Sequence, residues 1–417
     1  MDLLSNCKSG IIFAGDVAIN SQGMAMRLRK LVFVCLGVGL LYGADPKLND
    51  APANSFQDAF ARGLIYGHAG LLFQQSIDKA PTYGDINLSL GYESRRYLGY
   101  KFGAELWLIP KLYEGQRDDF RKAQTYFEAP QLYADYYNQY ERFGGTIGRF
   151  RIDEDWITHF NEGLFLKYDQ IPSLSLAFSW SLRNAYITPF FSQNYKVFGE
   201  YQSGKVGKWT GGAFYLRANI TIPQAPITLT PYIYLVPDFF VAPGLRGELN
   251  LPITKNVLFK GIIHLTSYVE LNEQRKALNS GGGGVIWTEG GIDWAGMRIG
   301  AGIINTPKGG AIYIDGFGQK TPFERADGIF YYNAITPYAY ISANLWKYAS
   351  LYGAFRTSII GAQSVLNWEA RMDIMPIQNV RMGISALGMS NPTQAPSRFG
   401  QNMGSYMIFR GYVEYHF

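Results

Sequence analysis

The chain has 417 residues and a formal net charge of +5. Charged residues make up only 17% of it, against roughly 25% in typical soluble domains, while 47 residues are glycine and 16% are aromatic. The mean hydropathy is −0.08, and no run beyond residue 44 approaches the ~18 apolar residues of a spanning helix, which together exclude a helical membrane protein. A neutral average with few charges fits apolar and polar residues in alternation, as in a membrane β-barrel.

Taken in chain order, the first feature is a leader. Arg27, Arg29 and Lys30 precede the apolar run Leu31 to Leu41, followed by small Gly43 and Ala44 and then by Asp45, Pro46 and Lys47. Basic, apolar, small, polar is the order of a secretory signal peptide. Met24 and Met26 are better starts than Met1, so residues 1–23 are read as a mis-annotated start extension and 24–44 as the signal peptide. Residues 45–62 follow as a periplasmic N-terminal segment, and 63–417 as the barrel. Cys35 sits inside the apolar run behind Val32, Phe33 and Val34, without the small residues that lipid attachment needs. Both cysteines, Cys7 and Cys35, lie in the leader, so the mature chain is expected to have no disulfide, thiolate nucleophile or Cys-ligated metal. Losing the leader lowers the net charge to +3, and so mild a surplus carries no nucleic-acid signature.

The remainder reads as strand after strand with period two. At 98–109, Leu98, Tyr100, Phe102, Ala104, Leu106 and Leu108 oppose Lys101, Gly103, Glu105 and Trp107. At 173–183, Leu174, Leu176, Phe178, Trp180 and Leu182 alternate with Ser173, Ser175, Ala177, Ser179, Ser181 and Arg183. Residues 213–222 and 366–374 follow the same rule. Short turns are expected near 94–97, 141–144, 169–172, 223–226, 252–255, 305–310, 346–347 and 375–378. Longer connections fall at about 74–83, 110–130, 153–160, 185–209, 237–242, 270–285, 318–334, 361–363 and 389–405. Outer-membrane barrels alternate short periplasmic turns with longer outside loops. The expected fold is therefore an all-β transmembrane antiparallel barrel of 18 strands with both termini periplasmic. Sixteen strands is the alternative, because 286–304 and 311–317 are ambiguous in length.

The last strand ends in Phe417, with Phe409, Gly411, Val413 and Tyr415 on the same face and Arg410, Tyr412, Glu414 and His416 on the other. Behind a leader and a run of alternating strands, this reads as an assembly signal for the outer-membrane insertion machinery.

The segment 131–168 carries a family resemblance. Gln131 to Tyr140, followed by Gly144, Gly145, Thr146, Ile147, Gly148, Arg149, Phe150, Arg151, Ile152 and Asp153, resembles the strand–turn–strand ending in a Gly-Arg segment of OprD-like porins, including the Helicobacter outer-membrane (Hof) proteins. The acids Asp153, Glu154 and Asp155 and the later Gly163 loosely match that family's acidic loop and its next glycine-containing strand, although its prolines around the third loop are missing here. The resemblance implies a monomeric pore of 18 strands, with the third loop folded inward and arginines on the wall.

Parity assigns Arg149, Arg151, Arg183, Arg217, Arg246, Lys260, Arg298, Arg356, Arg371, Arg381 and Arg410 to the lumen, with the acids Glu93, Glu105, Asp135, Glu248, Glu369 and Asp373. Facing hydrocarbon at mid-bilayer, each base would cost roughly 2–4 kcal/mol. A ring of fixed positive charge attracts anions. Guanidinium's planar fork matches a carboxylate, but each arginine can equally well brace strands, and Arg371 beside Glu369 and Asp373 suits an ion pair. Asp153, Glu154, Asp155, Trp156 and His159 form the candidate constriction loop. The three acids could instead hold Ca²⁺ or belong to a solvated outer loop. The Gly281–Gly284 run lacks the Lys-Ser/Thr of a phosphate cradle and reads as a loop.

Catalytic motifs are absent from the sequence: the four histidines are scattered, and neither Gly-x-Ser-x-Gly nor His-Glu-x-x-His occurs. A phospholipase barrel would need His159 or His264 beside a serine. An adhesin or receptor barrel acting through its outer loops is the rival reading, though adhesins generally add a large external domain. The sequence thus predicts a non-enzymatic outer-membrane porin without cofactor or metal. Its partners are outer-membrane lipid, the insertion machinery and small hydrophilic solutes, anionic or carboxylate-bearing nutrients among them. If the leader is read correctly, N-terminal sequencing of outer-membrane material will find a mature chain beginning near Asp45; a chain starting at Met1 or Met24 overturns that reading.

Overall fold

The computed structural model describes residues 52–78, 80–198, 211–271, 282–307, 309–311, 313–390 and 404–417. The leader with both cysteines lies outside the described residues, as does Gly281. Twenty strands are formed: β1 (Leu64–Asp78), β2 (Tyr83–Glu93), β3 (Tyr100–Leu108), β4 (Lys111–Glu114), β5 (Phe127–Asn138), β6 (Phe143–Asp153) and β7 (Thr158–Ile171). They continue with β8 (Leu174–Thr188), β9 (Phe191–Lys196), β10 (Ala213–Thr221), β11 (Ile227–Val236), β12 (Phe240–Thr254), β13 (Val257–Glu270) and β14 (Gly282–Trp294). The last six are β15 (Met297–Thr306), β16 (Ala334–Leu345), β17 (Ala349–Ile360), β18 (Gln363–Ile377), β19 (Val380–Ser390) and β20 (Tyr406–His416). Among the described residues two short α-helices, α1 (Phe56–Ala61) and α2 (Asp119–Ala123), accompany them.

Two of the strands are accessories. β4 extends the line of β3 against β2, and β9 pairs only with the far end of β8. The other eighteen form the wall, each antiparallel to its neighbours along the chain. The wall closes because β20 pairs with β1 as well as with β19, from His68↔His416 to Asp78↔Tyr406. Both barrel termini lie at the end that carries the short turns. Phe417 and Gly67 exchange backbone hydrogen bonds there, at 3.0 and 3.1 Å.

Alternation sorts the side chains onto the two faces of the wall. On β13, Ile263 and Leu265 are exposed on the outside, 57% and 43%, while His264 and Thr266 are buried inside. On β20, Met407, Phe409 and Val413 face out, while Arg410, Tyr412 and Glu414 are buried within. The exposed large apolar residues thus form an outer band, and the polar ones line the interior. Gly148, at φ 114°, interrupts this order on β6. On a regular strand Arg149 would share the outward face of Ile147, but its Nε bonds Glu162 at 3.0 Å and its guanidinium lies 4.6 Å from the ring centre of Tyr195 on β9. A Cβ at Gly148 would meet the Leu132 carbonyl oxygen at 2.3 Å, so only glycine fits.

The predicted count of 18 wall strands holds although two of its boundaries move. The stretch 286–304 belongs to two strands joined by the two-residue turn Ala295–Gly296, with φ 48° and 82°. Such turns need positive φ at both central residues, and an alanine there hides the signal. The expected turn at 305–310 and strand at 311–317 are replaced by one long connection, 307–333, between β15 and β16. Ala311, Ile314 and Phe317 are fully buried in it, so their apolar spacing serves packing inside the lumen instead of a strand facing lipid.

Neighbouring positions on β13 test the faces. Ile263→Arg would put a charge on the outer band, at about 2–4 kcal/mol near mid-bilayer, whereas Ile262 lines the lumen cavity. Heat-modifiability gels should show lost assembly for Ile263→Arg and normal assembly for Ile262→Arg; equal behaviour means the register of β13 is wrong.

Candidate functional site

Connections at the loop end turn into the barrel interior. The shortest, 154–157 between β6 and β7, is held by ion pairs with the wall. Glu154 accepts from Arg217 at 2.5 and 3.0 Å, and Asp155 from Arg246 at 2.6 Å. Burial alone would raise the Asp155 carboxyl, but Arg246, with His264 and Lys320, holds it below the ordinary carboxylate range. Trp156 is buried and donates from Nε1 to the Tyr232 hydroxyl at 2.8 Å, and that hydroxyl is 2.7 Å from His264 Nε2. His264 therefore partners a tyrosine rather than a serine. Engaged by arginines, Glu154 and Asp155 do not converge on a cation, and Asp153 is exposed beside Lys320 at 3.6 Å. His159 opens β7 at φ 63° with its ring edge-on to Tyr186.

The second inward segment is the β8–β9 hairpin. It reaches the opposite wall, where the Phe190 carbonyl accepts from the Tyr83 hydroxyl at 2.7 Å and the Phe190 ring packs 4.7 Å from that of Tyr412. The third is the 307–333 connection, whose Phe317, Phe323, Ile329 and Phe330 join Trp156 and Tyr232 in one apolar cluster. Phe317 meets the first segment directly, its carbonyl accepting from Thr158 N–H at 2.9 Å. Wall residues latch this connection. Fully buried Arg356 donates to the Arg325 and Asp327 carbonyls at 2.9 and 3.0 Å. Arg410 binds Glu324 through two nitrogens at 2.7 and 2.8 Å, and Glu369 accepts from Glu324 N–H at 3.0 Å.

Between the second and third segments runs a lumen cavity of about 980 Å³, with Phe190 and Phe191 on one side and Pro322, Phe323 and Glu324 on the other. Eight basic side chains line it, Arg151, Arg246, Lys260, Lys320, Arg298, Arg371, Arg381 and Arg410, against four acids, Glu248, Glu289, Glu324 and Glu369. Several guanidiniums lie over rings, Arg246 on Trp287 at 6.0 Å, Arg298 on Tyr340 at 6.0 Å and Arg371 on Tyr352 at 5.6 Å. Ring stacking holds a guanidinium plane by attraction to the π-face, while the edges of the same groups meet acids, Arg246 with Asp155 and Glu248, Arg298 with Asp293 and Arg371 with Asp373.

The structure divides the expected lumen charges. Arg151, Arg246, Lys260, Arg298, Arg371, Arg381, Arg410, Glu248 and Glu369 line the cavity. Others are tied up as braces away from it: Arg149 with Glu162, Arg217 with Glu154, Glu93 with Lys101 at 3.1 Å and Glu105 with Trp107 at 2.7 Å. Asp135 pairs with Arg96, and Asp373 with Arg371 and Arg381 at 3.2 and 2.9 Å. Arg183 stands opposite Glu162 in the β7–β8 ladder. Arg356 is a correction of substance, since it faces inward yet lies under the 307–333 connection, away from the cavity. Sequence reasoning missed Glu289, Lys320 and Glu324. Glu289 follows Val285 and Trp287 in parity and is readable once β14 is bounded correctly. The other two sit on a connection whose length suggests an outer loop, where buried Phe317, Phe323 and Phe330 are the overlooked signal.

A family model described as "Putative outer membrane protein" matches residues 52–269. The chain belongs to that family. It is an outer-membrane protein with an OprD-like barrel. Among solved Pseudomonas aeruginosa structures, OccD3 aligns at TM-score 0.65 with 10% identity over 85% of this chain and 91% of that one. OccK3 aligns at 0.64 with 11% identity over 87% and 97%, and the outer membrane protein OprD at 0.63 with 10% identity over 85% and 94%. No curated protein sequence matches the chain. Identities this low establish a shared fold, and the lumen chemistry has to be read from this chain's own residues.

The latch on the 307–333 connection is testable. Arg356→Leu leaves two buried carbonyls without their donor, at about 1–3 kcal/mol for each unsatisfied group. The barrel should still assemble, while single-channel recordings show larger or noisier conductance. A recording identical to the native one would show that Arg356 does not hold the constriction.

Proposed function

We propose that the barrel is a porin through which small hydrophilic solutes diffuse, with preference for anions and carboxylate-bearing nutrients. The observation that carries the reading is the cavity lining, where eight basic side chains stand against four acids, and five of those bases pair with Asp155, Asp293 and Asp373, which lie outside that lining. In a confined channel, fixed charge is screened less than on an open surface, so this surplus lowers the entry barrier for anions. Guanidinium's planar fork suits the two oxygens of a carboxylate, and in this reading a solute carboxylate exchanges with the wall acids that now meet Arg298 and Arg371. No covalent step or cofactor enters this function.

Barrels of this class place their short turns in the periplasm, which puts both barrel termini there and the inward-folding connections on the outer side. Phe409, Gly411, Val413 and Tyr415 on the outward face of β20, with Phe417 just beyond it, are what the insertion machinery reads in this account, and those four lie inside the closing pair with β1. An adhesin would use connections that project from the barrel, whereas three here fold inward.

Neutralising Lys260, Arg298 and Arg371 to Gln together removes three positive charges from the lining. Reversal potentials in planar bilayers should then show anion permeability falling relative to cations, more at low salt than at 1 M, where the screening length is only ~3 Å. An unchanged reversal potential at low salt, in a correctly assembled triple variant, would refute the anion pathway.

A further inference from the structure

The short helix before the first strand sits outside the barrel. Tyr92 on β2 and Phe102 on β3 belong to the outward face, and the Phe60 ring of α1 stacks on both, at 6.4 and 5.9 Å. Three hydrogen bonds fasten the segment to the wall and its first short turn: Ala53 N–H to the Arg96 carbonyl at 2.8 Å, Arg95 N–H to that of Ala59 at 2.9 Å, and the Tyr92 hydroxyl to that of Phe60 at 2.6 Å. The helix is also capped by its own residues, the Ser55 hydroxyl accepting from Asp58 N–H at 3.0 Å. Its position is therefore built into the fold.

Despite this anchorage, its two aromatic rings stay open to the outside. Phe56 and Phe60, one turn apart with ring centres 4.9 Å from each other, remain 62% and 40% exposed. The acid of the helix, Asp58, is matched by Arg62 at 2.8 Å, so no unpaired charge sits beside the rings. The patch is continuous with the outer band through Phe102 and with exposed Leu98 and Tyr100 near the first turn. Around the same end of the barrel, Tyr140, Trp294, Trp346 and Tyr348 are exposed at or beside other short turns. Aromatic rings collect at the level of lipid headgroups, where an apolar body and a polar edge both find suitable surroundings.

We propose that α1 is an interfacial membrane anchor, with Phe56 and Phe60 set into the headgroup–acyl boundary of the leaflet at the turn end. Amphipathic segments bind that boundary through buried apolar area, and here the wall supplies a fixed depth, because the bonds to Arg96, Ala59 and Tyr92 hold the rings level with the first turn. The helix would thereby seal the outer surface of β2 and β3 where lipid gives way to water. The proposal depends on the outer-membrane location alone and not on pore activity.

The test uses the full chain with Cys7→Ser, Cys35→Ser and Phe56→Cys, labelled with an environment-sensitive fluorophore and reconstituted in phosphatidylethanolamine–phosphatidylglycerol vesicles. A Leu106→Cys chain labelled in the same way serves as the reference for the outer band. At residue 56, emission should be blue-shifted and quenched more strongly by nitroxide lipids labelled close to the headgroup than by those labelled near the bilayer centre. The Leu106 site, further along β3, should be quenched by the deep nitroxide at least as well. Water-like emission at 56 without lipid quenching, while Leu106 is quenched, overturns the proposal. Shielding of the label from both lipid nitroxide and aqueous iodide overturns it too, since protein would then cover the rings.

Discussion

A peptide group facing hydrocarbon has no water to satisfy it, and each unpaired one costs several kcal/mol. For a wall made of strands the remedy is closure, and here it comes down to the pairing of β1 with β20 over eleven residues. Everything else in the molecule can be irregular because that condition is met. Strands of nine to fifteen residues tolerate bulges, as at Glu162/Gly163 on β7 and Glu105/Trp107 on β3. The lumen side, where polar groups find partners, absorbs the irregular register that the outer face could not.

Within that wall, the arginines do two jobs that the same residue type can serve. Fully buried Arg356 and half-buried Arg217 spend donors on inward connections, which makes them structural. Arg298 and Arg371 pair with acids at 3.3 and 3.2 Å while lying along the cavity and against tyrosine rings. The difference lies in what covers them. A buried ion pair is weak evidence for stability, because desolvation offsets much of the attraction, but it fixes where a connection sits. Glu154–Arg217 and Asp155–Arg246 together seat the 154–157 segment against β10 and β12, and Trp156 then has one place to go.

Much of the wall was legible from residue alternation, and the interior far less. Leu174 to Leu182 and Met407 to Val413 declare their faces because lipid enforces a period of two on every outward residue. The Ala295–Gly296 turn was hard to read because only two residues separate the outward set Ile292 and Trp294 from the shifted set Ile299 and Ile303, glycines thin the pattern on both sides, and alanine seldom takes positive φ. The inward paths of 189–196 and 307–333 obey no period. Their clue was compositional, in Phe190, Phe191, Phe317, Phe323 and Phe330, aromatics that a water-filled loop would have no reason to carry. The third connection does fold inward, as the resemblance implies, with Glu154, Asp155 and Trp156 buried outside the cavity lining that includes Phe190 and Glu324. Local spacing cannot reveal which of several connections ends up nearest the axis.

Arg410 belongs to the final strand, yet its guanidinium reaches in two directions, to Gln74 on the first strand at 2.8 Å and to Glu324 of the inner connection. Circumference and aperture are therefore coupled through one side chain. Unless the first and last strands meet, Arg410, one of the residues that latch the 307–333 connection, lacks its contact with Gln74. The position of that inner connection thus depends in part on closure of the wall.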